Sequence, residues 1–316
     1  MTATSPPPGT AAELMTRITA ELSTRLAAVG RERGSPGFPV LVAVAHGSRD
    51  PEAVRTVRAL LAGVRELRPE VPLRLGHVEL NAPLLRDTLG SLASTGGDAV
   101  LVPLLFGRGH HVTEDIPEAV RVATARPGTP DVRDRPAPAA ERTGLGTATD
   151  RPAIGHPAPA PAPPLSARVA APLGPHPLLA DALADRLTEA GWRGGDGVVL
   201  AAAGSRASRS AADTEATAAL LAARLGVPVL PAYASAAAPT VAEAARTLAA
   251  RGCRRVGVAC CFTAPGLFAR RTAATARGLG LPVAAPLGAH PALARLVLHR
   301  YDEQLAVLGT PTRTAA

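Results

Sequence analysis

The chain has 316 residues, enough for two domains that each bury a core. Its net charge of +8 is carried by arginine without a single lysine, and aromatics are only 2% of residues. The arginines are scattered, with no basic run interleaved with stacking aromatics, which argues against nucleic-acid partners and reads as a solvated surface still able to attract a polyanionic small molecule. No apolar run reaches the roughly 18 residues of a membrane span. Residues 1–10 are Pro-rich and uncharged, unlike a signal peptide, and Cys253, Cys260 and Cys261 form neither a disulfide framework nor a CxxC knuckle. The expectation is a cytoplasmic protein with no membrane partner.

Residues 1–34 read as a tail with one peripheral helix at most. From Phe38 onward short β-branched runs alternate with amphipathic stretches, the rhythm of βαβ units on a parallel sheet. Strands are predicted at Val40–Ala45, Leu73–Leu80, Val100–Phe106 and Ala167–Ala171. Between them, Pro51–Leu67 repeats apolar residues at helical spacing behind an N-terminal proline, and Pro83–Leu92 does the same. Residues 127–166 are dominated by Pro, Ala, Gly and Thr and predict a disordered insertion. The run ValGlyValAlaCysCysPhe predicts a buried strand.

An internal repeat organises the rest. ValAlaValAlaHisGlySerArg (42–49) matches ValLeuAlaAlaAlaGlySerArg (199–206) at an offset of 157, and Asn81 and Phe106 fall on Ala237 and Phe262 at 156. ValAlaAlaProLeuGly-x-HisPro occurs at 169–177 and again 114 positions later, a shortfall of the size of the Pro/Ala segment. The expected fold is therefore α/β, two tandem Rossmann-like three-layer halves with parallel sheets. Their expected bounds are 35–192, carrying the insertion, and 193–309, a degenerate copy, followed by a tail at 310–316. The boundary falls near Trp192. The second half is expected to act as lid and packing partner in a monomer with pseudo-twofold halves.

Three strand ends of the first half carry chemistry-bearing groups: His46, Glu79, and the pair His110 and His111. In an open parallel sheet those ends share one edge, where ligands bind. Imidazole and carboxylate suit a divalent first-row metal and accept protons near neutral pH. The second copy places Ala203, Ser235 and Leu267 at the positions of His46, Glu79 and His111. The scaffold was duplicated and the polar set was not, which favours function over a structural role. His176 and His290, present in both copies, read as structural, and His77, His156 and His299 as surface or linker residues. Ser48 and Ser205 read as turn or cap residues, with Arg49 able to meet a substrate carboxylate.

AlaHisGlySerArgAsp (45–50), ValGluLeuAsnAlaPro (78–83) and ValProLeuLeuPheGlyArgGlyHisHisValThrGluAspIlePro (102–117) resemble the sirohydrochlorin chelatases, the class II family that includes cobalt- and iron-inserting enzymes. The resemblance covers about residues 38–308 without the insertion. It implies insertion of Fe(II) or Co(II) into sirohydrochlorin, with loss of two pyrrole protons, on the way to siroheme or cobalamin. It makes His46 general base and metal ligand, His111 the second ligand, and Glu79 a substrate or metal contact, the three forming the catalytic set. Phe106, Gly107, Arg108, Gly109 and His110 would line the tetrapyrrole pocket together with Ser48 and Arg49, and Arg49, Arg86 and Arg108 would pair with its carboxylates. The partners are then sirohydrochlorin and a divalent metal that is substrate, with no organic cofactor. Two other readings stay open on the residues alone: a non-catalytic metal or tetrapyrrole carrier, and a phosphate-ester enzyme with His46 as nucleophile.

Overall fold

The computed structural model describes residues 38–125 and 164–309. The expected tails, His156 and residues 127–163 of the expected insertion lie outside them. Strands β1 (Val40–Ala45), β2 (Leu73–His77), β3 (Gly97–Pro103) and β4 (Leu165–Val169) form one parallel sheet in the order β2-β1-β3-β4. Strands β5 (Gly197–Ala202), β6 (Val229–Tyr233) and β7 (Val256–Cys260) form a second in the order β6-β5-β7. Helices α1 (Pro51–Leu67), α2 (Leu85–Thr95), α3 (Ile116–Thr124) and α4 (Pro177–Glu189) accompany the first set. With the second come α5 (Ser208–Leu225), α6 (Val241–Ala250), α7 (Leu267–Gly278) and α8 (Pro291–Gly309). β1 and α1 have their expected bounds. β2 stops three residues early, β3 is shifted toward the N-terminus to Gly97, and β4 takes Leu165 and Ser166 from the expected insertion, pairing them with Gly97 and Asp98.

The alternation of strand residues divides the interior into layers. Leu41, Ala43 and Ala45 of β1 face one core together with Val198 and Leu200 of β5, while Val42 and Val44 face a separate core under α2 and α3. Val199 and Ala201 face a third, under α6. The shared middle layer holds α1, α4, α5 and α8. Here the arrangement departs from two self-contained halves. Helix α8, last in the second copy, packs on α1 and β3, and α4, last in the first, packs on α5 and β7. The Cβ of Ala294 on α8 lies 3.7 Å from where a side chain on Gly63 of α1 would begin, and Tyr301, with no exposed surface, donates from its hydroxyl to Pro39 O at 2.7 Å. The copies exchange their final helices and share one core, so the second half is a packing partner built into the first and no free-standing lid.

Trp192, near the expected boundary between the halves, is buried, its ring against Gly257. His77, expected at the surface, is 2% exposed, with Nδ1 3.2 Å from Pro83 O, and burial lowers its pKa. His176 and His290 serve as N-terminal caps of α4 and α8: the amides of Leu178 and Ala292 donate to their Nδ1 atoms at 3.1 and 3.2 Å.

Both capping rings have pKa values below 6.5. Burial is the main cause, with Arg300 and His299 beside His176, opposed by Glu303, and Arg186 and Arg295 beside His290, opposed by Asp185 and Glu189. A proton on Nδ1 would also remove the lone pair that caps the helix. The unfolded chain therefore takes up protons at these sites before the folded one does, so their contribution is complete above about pH 6.5 and is lost as pH falls through the lower, folded-state values. The midpoint of thermal unfolding should fall between pH 7 and pH 5, and His176→Asn/His290→Asn, which caps without titrating, should flatten that dependence.

Candidate functional site

The carboxyl edge of the first sheet is shaped by a crossing of two loops. Gly47, after β1, has φ +103°, and a Cβ there would stand 1.9 Å from Glu79 O. Only a residue without a side chain lets the β1–α1 loop pass so close under the turn after β2. The amide of Glu79 donates to His46 O at 3.0 Å and that of Ser48 to Asn81 Oδ1 at 2.6 Å, which fixes the two loops together. The second copy repeats the crossing: Gly204 has φ +91° with Ser235 O at the same 1.9 Å, and the Ser235 amide donates to Ala203 O at 3.0 Å. Even the left-handed residue in the turn recurs, Leu80 at φ 66° and Ala236 at φ 60°. What differs is the side chains displayed.

In the first copy the crossing brings His46 Nδ1 to 3.5 Å from Glu79 Oε1 and 3.2 Å from Gly47 O, with both side chains about half exposed. His111 arrives from the loop after β3, at the start of a single π-helical turn, His111–Asp115, that leads into α3. Pro117 has no N–H to give the carbonyl of Thr113, so an ordinary α register cannot run through the segment, and the amide of Ile116 bonds instead to His111 O. Ile116 itself is fully buried and anchors the turn. The turn sets Asp115 beside His111, with Oδ2 2.5 Å from Nδ1.

The rings of His46 and His111 meet edge to face with centroids 4.5 Å apart. An ionised carboxylate only accepts, so Asp115 holds the proton on Nδ1 of His111 and leaves Nε2 with its lone pair. Glu79 and Gly47 O bias His46 the same way. The result is two imidazoles, each backed by a carboxylate, side by side on one open edge. Among the described residues no three His, Cys, Asp or Glu side chains are arranged to enclose an ion. The pair is an open platform of imidazole and carboxylate donors, groups of a kind that suits divalent first-row metals.

The other expected site residues are distributed around this pair. His110 is 74% exposed and turned aside, its Nε2 3.7 Å from Asp115 Oδ1. Arg86 borders a concavity of about 400 Å³ that also contains Glu79, His111 and Asp115. Ser48 and Arg49 line a second concavity. Ser48 accepts from the Asp50 amide in a turn, while the cap of α1 is Asp50, which accepts from the Glu52 amide at 3.0 Å. Phe106 is half-buried against the shared core, and Gly107 and Gly109 run along Ser210 and Ser205 of the second copy. The guanidinium of Arg108 is engaged by Asp213 of α5, which is 2% exposed: Nε donates to Oδ2 at 3.0 Å, and the Arg108 amide donates to the same oxygen at 2.8 Å. Arg108 thus fastens the loop bearing His111 to the second copy. Arg270 of α7 answers from the other side by donating to Asp50 Oδ2 at 2.6 Å, and Thr263 Oγ1 donates to Leu104 O at 2.9 Å.

Asp115 and Asp213 were not singled out from the sequence. Asp115 stands four residues after His111, a helical spacing that would have found it. Asp213 is 105 positions from Arg108 and gives no local signal.

The CbiX family model matches residues 40–190 and 197–304. The chain belongs to the CbiX family. Among curated relatives, the sirohydrochlorin cobaltochelatase of Methanococcoides burtonii is 30% identical over 83 residues, 26% of this chain and 63% of the relative. That of Sulfolobus acidocaldarius is 35% identical over 83 residues, 26% of this chain and 65% of the relative. The chain thus spans under two thirds of the length of these relatives. Among solved structures, SirB from Bacillus subtilis with Fe3+ superposes with a TM-score of 0.64 at 19% identity, over 85% of this chain and 96% of that one. CbiX, described as the terminal enzyme for biosynthesis of siroheme in denitrifying bacteria, gives 0.52 at 22% identity, over 82% and 98%. At these identities the structures establish a shared fold, and the two matched segments correspond to the internal repeat.

Two outcomes follow for this CbiX-family chain. Gly47→Ala and Gly204→Ala meet the same clash and the same left-handed backbone, so each should destabilise by about 2 kcal/mol or more in denaturant unfolding. Arg108→Ala takes the cation from the buried carboxylate of Asp213, leaving it the backbone amide at 108, and should destabilise by about 3 kcal/mol, with Arg108→Ala/Asp213→Ala recovering part of that loss in the same measurement.

Proposed function

We propose that the chain is a metal chelatase, a lyase that inserts Fe(II) or Co(II) into sirohydrochlorin with release of two pyrrole protons. The observation that carries this reading is the pair of carboxylate-backed imidazoles, His46 with Glu79 and His111 with Asp115, in the copy that keeps them. The CbiX family and the cobaltochelatase names of its relatives support the same reaction.

Insertion asks three things of the protein. The ion must shed water, it must be offered to a ring nitrogen, and the two displaced protons must leave. His46 and His111 present Nε2 lone pairs that replace water on the ion, and two neutral donors on an open edge release it again when the four ring nitrogens compete. Such a platform suits an ion handed on over one stored, which favours a catalyst over a carrier. After transfer the freed imidazole of His46 accepts the two pyrrole protons one after the other, and Glu79 Oε1, at 3.5 Å and half exposed, stabilises the imidazolium and passes each proton to water. Asp115 keeps His111 in the tautomer that binds metal. Within this reading the catalytic half is 35–192 and the degenerate copy 193–309.

The test is the loss of metal-free sirohydrochlorin absorbance with Co(II) or Fe(II) in the wild type, His46→Ala and His111→Ala. Turnover beyond one equivalent is expected for the wild type, with each variant slowed by about 100-fold or more. Wild-type activity in both variants rejects the assignment, and a single equivalent bound without turnover makes the protein a carrier.

A further inference from the structure

The turn Glu79–Asn81 is a ridge between two concavities of opposite character. On one side, about 400 Å³ is bordered by the acids Glu79, Asp115 and Glu118 and by His111, against the lone guanidinium of Arg86. On the other, about 590 Å³ is lined by Arg49, Arg55 and Arg58 with Ser48, Leu80 and Asn81, and by no acidic residue. Arg55 and Arg58 stand one turn apart on the exposed side of α1. Arg55 reaches Glu52 at 2.8 Å, an exposed pair of small worth, whereas Arg49 and Arg58 form no ion pair among the described residues. The nearby carboxylate of Asp50 is already taken by Arg270 and by its cap. Three guanidiniums around one hollow repel each other, and an anion in their midst relieves that repulsion. Leu80, 51% exposed, adds an apolar face to the same wall. A ligand fitting this hollow has carboxylate arms on an apolar frame.

Resting on the chelatase reading, we propose that this hollow is where the tetrapyrrole docks its carboxylate side chains, with Arg55 and Arg58 as specificity residues beside Arg49. The ridge then separates the two substrates by charge: the cation approaches along the acids and imidazoles, the polyanion along the arginines. They meet over His46, two residues before Ser48. Planar guanidiniums receive carboxylates through paired N–H donors, which fixes the edge of the macrocycle presented to the metal.

The experiment compares the wild type, Arg55→Gln/Arg58→Gln, and a charge-matched control, Arg65→Gln/Arg74→Gln, whose arginines lie outside the hollow. All four side chains are exposed, so folding should be preserved, as circular dichroism and thermal melting would verify. Fluorescence titration with metal-free sirohydrochlorin gives its Kd, and the Co(II) assay gives kcat and KM. The double variant should raise Kd and KM for sirohydrochlorin by about 10-fold, with kcat and the KM for Co(II) unchanged, since the contacts are made equally before and during the reaction. Its KM should also rise less steeply with salt than that of the wild type. Unchanged Kd and KM, or an equal change in the control, overturn the proposal. So does citrate or inorganic phosphate that binds the wild type, but not the double variant, while sirohydrochlorin affinity is the same in both, because the hollow then serves a free anion. A wild type that binds no sirohydrochlorin defeats the chelatase reading itself, whereas an active wild type beside an unaffected double variant defeats the arginine hollow alone.

Discussion

The structure depends on the exchange of final helices between its two copies. Each sheet is covered on one face by its own helices, and on the other the cover is completed from the opposite copy: α8 lies on β3, α4 on β7, and the two helices pack on each other. A continuous apolar core joins Leu41 and Leu60 with Leu183, Leu200 and Leu296, all at most 1% exposed. Burial on this scale is the dominant favourable term in folding, and it has no seam at which the copies could part. Ion pairs between the copies, among them Arg108 with Asp213 and Arg270 with Asp50, are set upon that core and fasten segments whose supports are already fixed.

Upon this frame the site needs little further machinery. Gly47 brings two strand-end loops within contact, and His46 and Glu79 follow from it because their backbones are bonded to each other. The π-helical turn before Pro117 does the equivalent for His111 and Asp115. Both devices use backbone geometry that a side chain or an ordinary helical register would prevent, which places rigid scaffold directly behind each imidazole. The same loops carry the opposite charges that flank the ridge at Leu80.

Much of this was legible in the sequence, for identifiable reasons. The bounds of β1 and α1 are legible to the residue because a β-branched run ends at HisGly and a proline opens the helix after Asp50. The parallel α/β class and the duplication followed from alternation and from matched motifs. His46, Glu79 and His111 could be gathered because a parallel sheet collects its strand ends on one edge. Strand limits at β2, β3 and β4 were misplaced by two or three residues because pairing partners decide them, as Gly97 does for Leu165. His77 reads in sequence as a surface or linker residue, since nothing near it shows that the turn after β2 folds back over its ring. The helix exchange was invisible: a repeat says that two units are alike, and is silent on which unit's helix covers which sheet. Asp213 was missed for the same reason, its meaning lying in a loop of the other copy.

Fusing the copies in one chain also makes them free to diverge. As long as α8 covers the first sheet and α5 offers Asp213 to the loop of Arg108, the strand ends of the second copy need no imidazoles, and Ala203, Ser235 and Leu267 stand in their places. One copy displays the paired imidazoles and carboxylates, and the other helps to hold them in place. A polypeptide that had to build its partner from an identical second molecule would have no such liberty, because every loss on one side of the axis would be a loss on both.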